Sequence, residues 1–171
     1  MSWKSWDQPL LNDRASFLVA TLGLTPHVEG GYYTELYRAS AGVQPEDGRG
    51  TRPAVTTIYF LLPAGAVSRW HRVLSDEIWH YYEGAPLDLW TASPDIDLVS
   101  RSWLGPLADS QRPACPVPAG WWQAARSTGE FTLVGCTVGP GFDFQDFVLA
   151  STEPAAADAL RALDPESARF L

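Results

Sequence analysis

The chain has 171 residues, 46% of them hydrophobic and 19% charged, which suits one domain of roughly 100–200 residues and excludes a disordered chain. Twelve basic against twenty acidic residues give a net charge of −8, which argues against nucleic acid and anionic membranes as partners, since both need a basic footprint. No apolar run is long enough to span a membrane, MSWKSWDQPL has no signal-peptide character, and with two cysteines, Cys115 and Cys136, the expectation is reduced thiols in a cytoplasm.

Residues 1–12 form a polar lead-in bearing tryptophan. A helix is predicted over 13–22, capped by Asn12 or Asp13, with Phe17, Leu18 and Leu22 on its apolar face and Gly23 as the stop. GYYTELYR (31–38) reads as a strand and 39–53 as a loop. Short strands then follow at 55–62, 76–84, 87–92, 97–103, 121–126, 131–138 and 142–149. The turns between them carry Gly84-Ala85-Pro86, Ser93-Pro94-Asp95, Pro118-Ala119-Gly120 and Gly139-Pro140-Gly141. This spacing indicates a β-sandwich or barrel. An alanine-rich helix is predicted over 153–163, stopping near Pro165. No boundary divides the chain, so one domain is expected over 1–171.

Strand 55–62 is apolar on both faces: Val55, Tyr59 and Leu61 on one, Ile58, Phe60 and Leu62 on the other. A sandwich buries one face of each sheet, so the second must be covered by the helices or by another subunit. A homodimer is expected on this ground. Eight Trp, six Tyr and seven Phe supply either a dense core or a cavity lined with rings.

The stretch Gly65 to Gly84 has the spacing G-x5-H-x-V-x3-E-x6-G, with His71, Val73 and Glu77 at the marked positions. It resembles the first motif of the cupin superfamily with the second histidine replaced by Val73. Pro118-Ala-Gly120-Trp-Trp-Gln123 resembles the second motif, with glutamine in place of a histidine. More closely, the chain resembles the cupin-5 family. The match is carried by His27-Val-Glu-Gly-Gly-Tyr-Tyr, Tyr37-Arg38, Thr56-Thr57-Ile58-Tyr59-Phe60-Leu61, Trp70-His71-Arg72-Val73, Asp76-Glu77-Ile78-Trp79-His80 and Pro140-Gly141-Phe142-Asp143-Phe144-Gln145-Asp146-Phe147. Val28 departs from the family's usual proline, and Thr34 from its arginine. The resemblance implies a mainly β double-stranded β-helix, the cupin jelly-roll barrel, usually dimeric, over about residues 22–150.

Through that resemblance His71 and Glu77 face the barrel interior. A cupin metal takes three or four ligands, typically three histidines and a glutamate. This chain has three histidines in all, at 27, 71 and 80, so a divalent metal would rest on His71, Glu77 and Gln123, a weak donor set. No cofactor is therefore expected. The alternative is metal-free acid–base chemistry, with His71 as base, Glu77 fixing its tautomer, and Tyr59 or Tyr81 donating a proton. Metal-free sugar-nucleotide epimerases of cupin architecture use a comparable His and Tyr arrangement, a likeness at the level of fold. Arg38 or Arg69 would hold an anionic or carbonyl-bearing group of a small-molecule ligand. Trp79, Trp121, Gln123 and Phe144 would wall the pocket. Asp146, placed with the substrate-binding residues and expected on one strand face with Phe142, Phe144 and Val148, otherwise needs a cation in a structural ion pair, with Arg38, Arg69 and Arg126 as candidates. The reading is an isomerase, epimerase or lyase, with a non-catalytic metabolite binder or a metal-dependent enzyme as alternatives.

Overall fold

The computed structural model describes residues 11–171; the lead-in over residues 1–10 lies outside the described residues. Helix α1 (Asp13–Leu22) starts where the Asn12 side chain accepts from the Ala15 N–H at 2.7 Å, and it ends at Gly23 in the left-handed region. Fourteen strands are described: β1 (Thr25–Pro26), β2 (Tyr32–Arg38), β3 (Gly42–Val43), β4 (Arg52–Pro53), β5 (Thr56–Pro63), β6 (Val67–Val73) and β7 (Asp76–Gly84), then β8 (Leu87–Ala92), β9 (Val99–Leu104), β10 (Gln111–Arg112), β11 (Ala114–Val117), β12 (Trp122–Ser127), β13 (Phe131–Gly139) and β14 (Phe147–Leu149). Helix α2 (Pro154–Leu163) takes Pro154 in its first turn, where a missing N–H costs nothing.

Two six-stranded sheets face each other, in the orders β1-β2-β5-β13-β7-β11 and β10-β9-β8-β12-β6-β14. Pairing is antiparallel except between β9 and β10. The central strands bury both faces in part, as the composition of 55–62 requires, and the helices cover part of the outer ones. On the first sheet α1 lays Ala15 and Leu18 over Leu61, Phe131 and Leu133. Phe17, expected on that apolar face, instead lies exposed under the Arg14 guanidinium. On the second sheet α2 sets Ala156 and Leu160 over Trp70, Trp90 and Trp122.

Between the sheets the container is filled at one end. Phe60, Leu62, Trp79, Leu87, Leu89, Leu104 and Val134 form the packed part. Towards the other end β5, β13 and β7 present Thr56, Ile58, Cys136, Val138 and Glu77, and β6 presents His71 and Val73, around an open cavity of about 590 Å³. The mouth is shaped by residues 142–147. Phe144–Asp146 is a 3-10 turn, not the interior of a strand, so the alternation expected over 142–149 does not hold.

Candidate active site

The site begins with a turn. His27 N donates to Gly31 O at 3.0 Å and Gly30 N to His27 O at 3.1 Å, closing residues 27–31 into a tight loop. Gly30 has φ +115° and presses on β6 so closely that a Cβ there would lie 2.0 Å from the Val67 carbonyl oxygen. Arg69 straps the loop from the other side. Its backbone N–H donates to Glu29 O at 2.8 Å and its guanidinium to Val28 O and Glu29 O. The consequence is that Glu29, only 6% exposed, is delivered into the cavity against β6.

There Glu29 meets His71. Glu29 Oε2 lies 3.1 Å from His71 Nε2, and Oε1 accepts from Ser68 Oγ at 3.0 Å. The other imidazole nitrogen, Nδ1, lies 2.8 Å from the Arg69 carbonyl oxygen. A carbonyl can only accept, so Nδ1 carries a hydrogen. In the neutral imidazole Nε2 is then a lone pair facing a carboxyl oxygen, and the contact requires one proton shared between Glu29 and His71. Burial pushes the Glu29 carboxyl above its ordinary range and pushes His71 below its own. Both directions disfavour an ion pair here and favour a neutral acid–imidazole pair. The His71 ring is stacked on Phe147 at 5.3 Å, which fixes its plane. His27 stands beside the pair, its Nδ1 accepting from Glu29 N at 3.4 Å, with burial lowering its pKa.

Glu77 enters from the facing sheet. Trp79 Nε1 donates to Gln123 Oε1 at 2.8 Å, which fixes the amide so that Gln123 Nε2 donates to Glu77 Oε2 at 2.6 Å. Burial nevertheless raises the Glu77 carboxyl above its ordinary value.

His71 and Glu77 thus share the cavity, but His71's hydrogen-bonded carboxyl partner is Glu29. Arg38 and Phe144 line the same cavity. Other expected residues lie elsewhere. Tyr59 is on the outer face, packed with the α1 cluster and edge-on to Tyr82, because β5 alternates and Phe60 takes the inner position. Tyr81 packs on the inter-sheet core and donates to Gly84 O at 2.5 Å, so its proton does not face the cavity. Trp79 belongs to the core and Trp121 packs against it, and neither lines the cavity. Gln123 stands behind Glu77 rather than in the wall, and Arg69 straps the loop rather than holding a ligand. Asp146 is bound by Arg52 through two 2.8 Å contacts and by Arg49 at 3.1 Å, not by Arg38, Arg69 or Arg126. Both partners come from the segment 39–53 and were hidden by its reading as loop.

The donor set weighed for a divalent metal, His71, Glu77 and Gln123, does not fit one. The Gln123 amide is committed at both ends, and among the described residues no three His, Cys, Asp or Glu side chains are arranged to hold an ion. Glu29 and His27 were missed as site residues. The signal for them was the His27-Val-Glu-Gly-Gly run, in which paired glycines implied close backbone approach and so a side chain carried inward beside them.

The facing sheets, the half-filled container and the polar cluster at its open end define a cupin, a double-stranded β-helix. The chain belongs to the family described as Cupin superfamily (DUF985), whose model matches residues 16–150. It is similar to a solved hypothetical protein from Leishmania major, at 32% identity over 91% of this chain and 95% of that one, with a TM-score of 0.76. A solved protein from Shewanella oneidensis is 36% identical over 91% of this chain and 92% of its own, also with a TM-score of 0.76. Oxalate decarboxylase from Bacillus subtilis shares the fold at 13% identity, covering 80% of this chain and 33% of that one, with a TM-score of 0.56. No curated protein matches the chain.

Proposed function

We propose that this cupin processes a small molecule as an isomerase, epimerase or lyase, by metal-free proton transfer in the cavity. The observation that carries the reading is the 3.1 Å contact between Glu29 Oε2 and His71 Nε2, with His71 Nδ1 on the Arg69 carbonyl, which calls for one proton between the two groups. Glu77, raised in pKa and held from the facing sheet, supplies a second proton-transfer group. Two titratable groups on facing walls can take a proton from one side of a bound carbon and return one to another position. Gln123 and Trp79 orient Glu77, and the Arg69 carbonyl fixes the His71 tautomer.

The test starts from whatever small molecule native mass spectrometry finds bound to the purified protein. Incubated with the protein in D2O, that molecule gains deuterium at carbon with the wild type and none with His71→Asn, while the variant still binds it. Equal binding by both proteins with no deuterium gained marks a non-catalytic binder and ends the enzymatic reading.

We infer also that the chain pairs as a homodimer through the outer face of the first sheet. Tyr37, Ile78 and Tyr82 are 40–55% exposed there, beyond the part that α1 covers. A monomeric mass by light scattering after size exclusion removes that inference. Among the described residues no helix is long and apolar enough to cross a membrane.

A further inference from the structure

We propose that the cavity selects an organic cation, a molecule carrying a protonated or quaternary amine, over an anionic ligand. The proposal deepens the function above and rests on the same reading of the cavity as a small-molecule site. Four carboxyl groups line the space, Glu29, Glu35, Glu77 and Asp143, against one guanidinium, that of Arg38. With the shared proton neutralising Glu29 and Glu35 paired to Arg38, the carboxyl groups of Glu77 and Asp143 remain.

The guanidinium is also not free. Arg38 Nε and Nη2 donate to the two Glu35 oxygens at 3.0 and 2.6 Å, and Nη1 donates to Phe142 O at 3.1 Å. The neighbouring cations are turned away: Arg69 into the 27–31 loop, Arg49 and Arg52 onto Asp146. No positive group is therefore left over for an anion, whereas Glu77 and Asp143 accept only neutral hydrogen bonds, from Gln123 and from the Gln145 N–H.

A second and independent feature prefers the same sign. At the mouth Phe142, Phe144 and Phe147 meet edge to face, with centroids 5.0, 6.0 and 6.2 Å apart, and Tyr33 joins the lining. Ring faces carry negative potential and attract ammonium groups, most strongly where water is excluded. A box of rings over buried carboxylates holds the charge of an amine and the apolar body attached to it. An anion of the same size meets repulsion from both.

Four probes sharing one phenyl ring read the preference on the full chain by NMR titration: benzylammonium, benzyltrimethylammonium, benzyl alcohol and benzoate. Both cations are expected to bind about tenfold more tightly than benzyl alcohol, a cation–π effect joined to charge pairing, with benzoate weakest. Asp143→Asn keeps the cap on the 3-10 turn and removes one charge. Phe144→Leu changes an exposed ring at the mouth. Each lowers affinity for the cations severalfold and leaves benzyl alcohol unchanged. Benzyl alcohol or benzoate binding as tightly as the cations, or no saturable binding of either cation, overturns the proposal. Neither result touches the Glu29–His71 reading, which the deuterium experiment decides separately.

Discussion

Replacing Glu29 by glutamine tests the state of the proton it shares with His71. In the neutral pair, Glu29 donates through Oε2 and accepts from Ser68 through Oε1. Glutamine reproduces both contacts, its amide nitrogen donating to His71 Nε2 and its oxygen accepting from Ser68. The expected loss of stability is below about 1 kcal/mol, the scale of one exchanged neutral hydrogen bond. Alanine strips both contacts and leaves two buried polar groups without partners, each worth about 1–3 kcal/mol. Because Glu29 borders the cavity, water reaches part of the gap, so we expect about 2–3 kcal/mol in total. Urea unfolding of both variants at neutral pH gives the two numbers, and nitrogen-detected NMR of His71 shows hydrogen on Nδ1 in each. The reasoning fails if glutamine destabilises as much as alanine. That result means an ionised pair, since removing one partner of a buried ion pair costs about 3–5 kcal/mol.

Asp146→Asn breaks a buried network, because the carboxylate is 2% exposed and joins two arginines. We expect a loss of about 3–5 kcal/mol in chemical denaturation, and a loss below about 1 kcal/mol refutes the role assigned to it. The same carboxyl lies below its ordinary value, chiefly through the Arg52 hydrogen bonds. Its contribution is therefore fully present above the unfolded value near 3.8 and is lost as pH falls through the folded one. Acid unfolding of the wild type carries that loss, and Asp146→Asn removes it from the curve. Gly30→Ala forces a side chain into φ +115° and against the Val67 carbonyl. We expect at least about 1–3 kcal/mol from the backbone conformation alone, together with displacement of Glu29 seen as a changed His71 signal. A variant within about 0.5 kcal/mol of wild type, with His71 unmoved, refutes the packing described.

Much of the fold was legible because its signals are local. Short apolar runs such as 55–62 and 131–138, proline and glycine between strands, and the Asn12 and Gly23 helix ends all act within a few residues. The site was legible in part, since alternation groups His71 with Val73 and Glu77 with Trp79, and the cupin resemblance turns the His71 and Glu77 face inward. What stayed hidden depends on contacts distant in sequence. The glycines beside Glu29 announce a close backbone approach, but not that it is made to β6, some forty residues away. Arg52 and Asp146 are separated by ninety-four positions, and the 3-10 turn before Phe147 breaks the period that made Asp146 look like a strand residue. Tyr59 shows the reverse error, where a residue with suitable chemistry sits on the wrong side of a strand correctly assigned.

The division of the container into a solid end and an open end separates what keeps the protein folded from what chooses its guest. Exchanges at Ile58, Val73 or Val138 can remodel the chamber for other molecules while the packed floor holds the melting temperature. Trp79 sits on the border, rooted in that floor and bonded through Gln123 to Glu77. Redesign of specificity therefore has room on the walls, and reaches the foundations where that indole is disturbed.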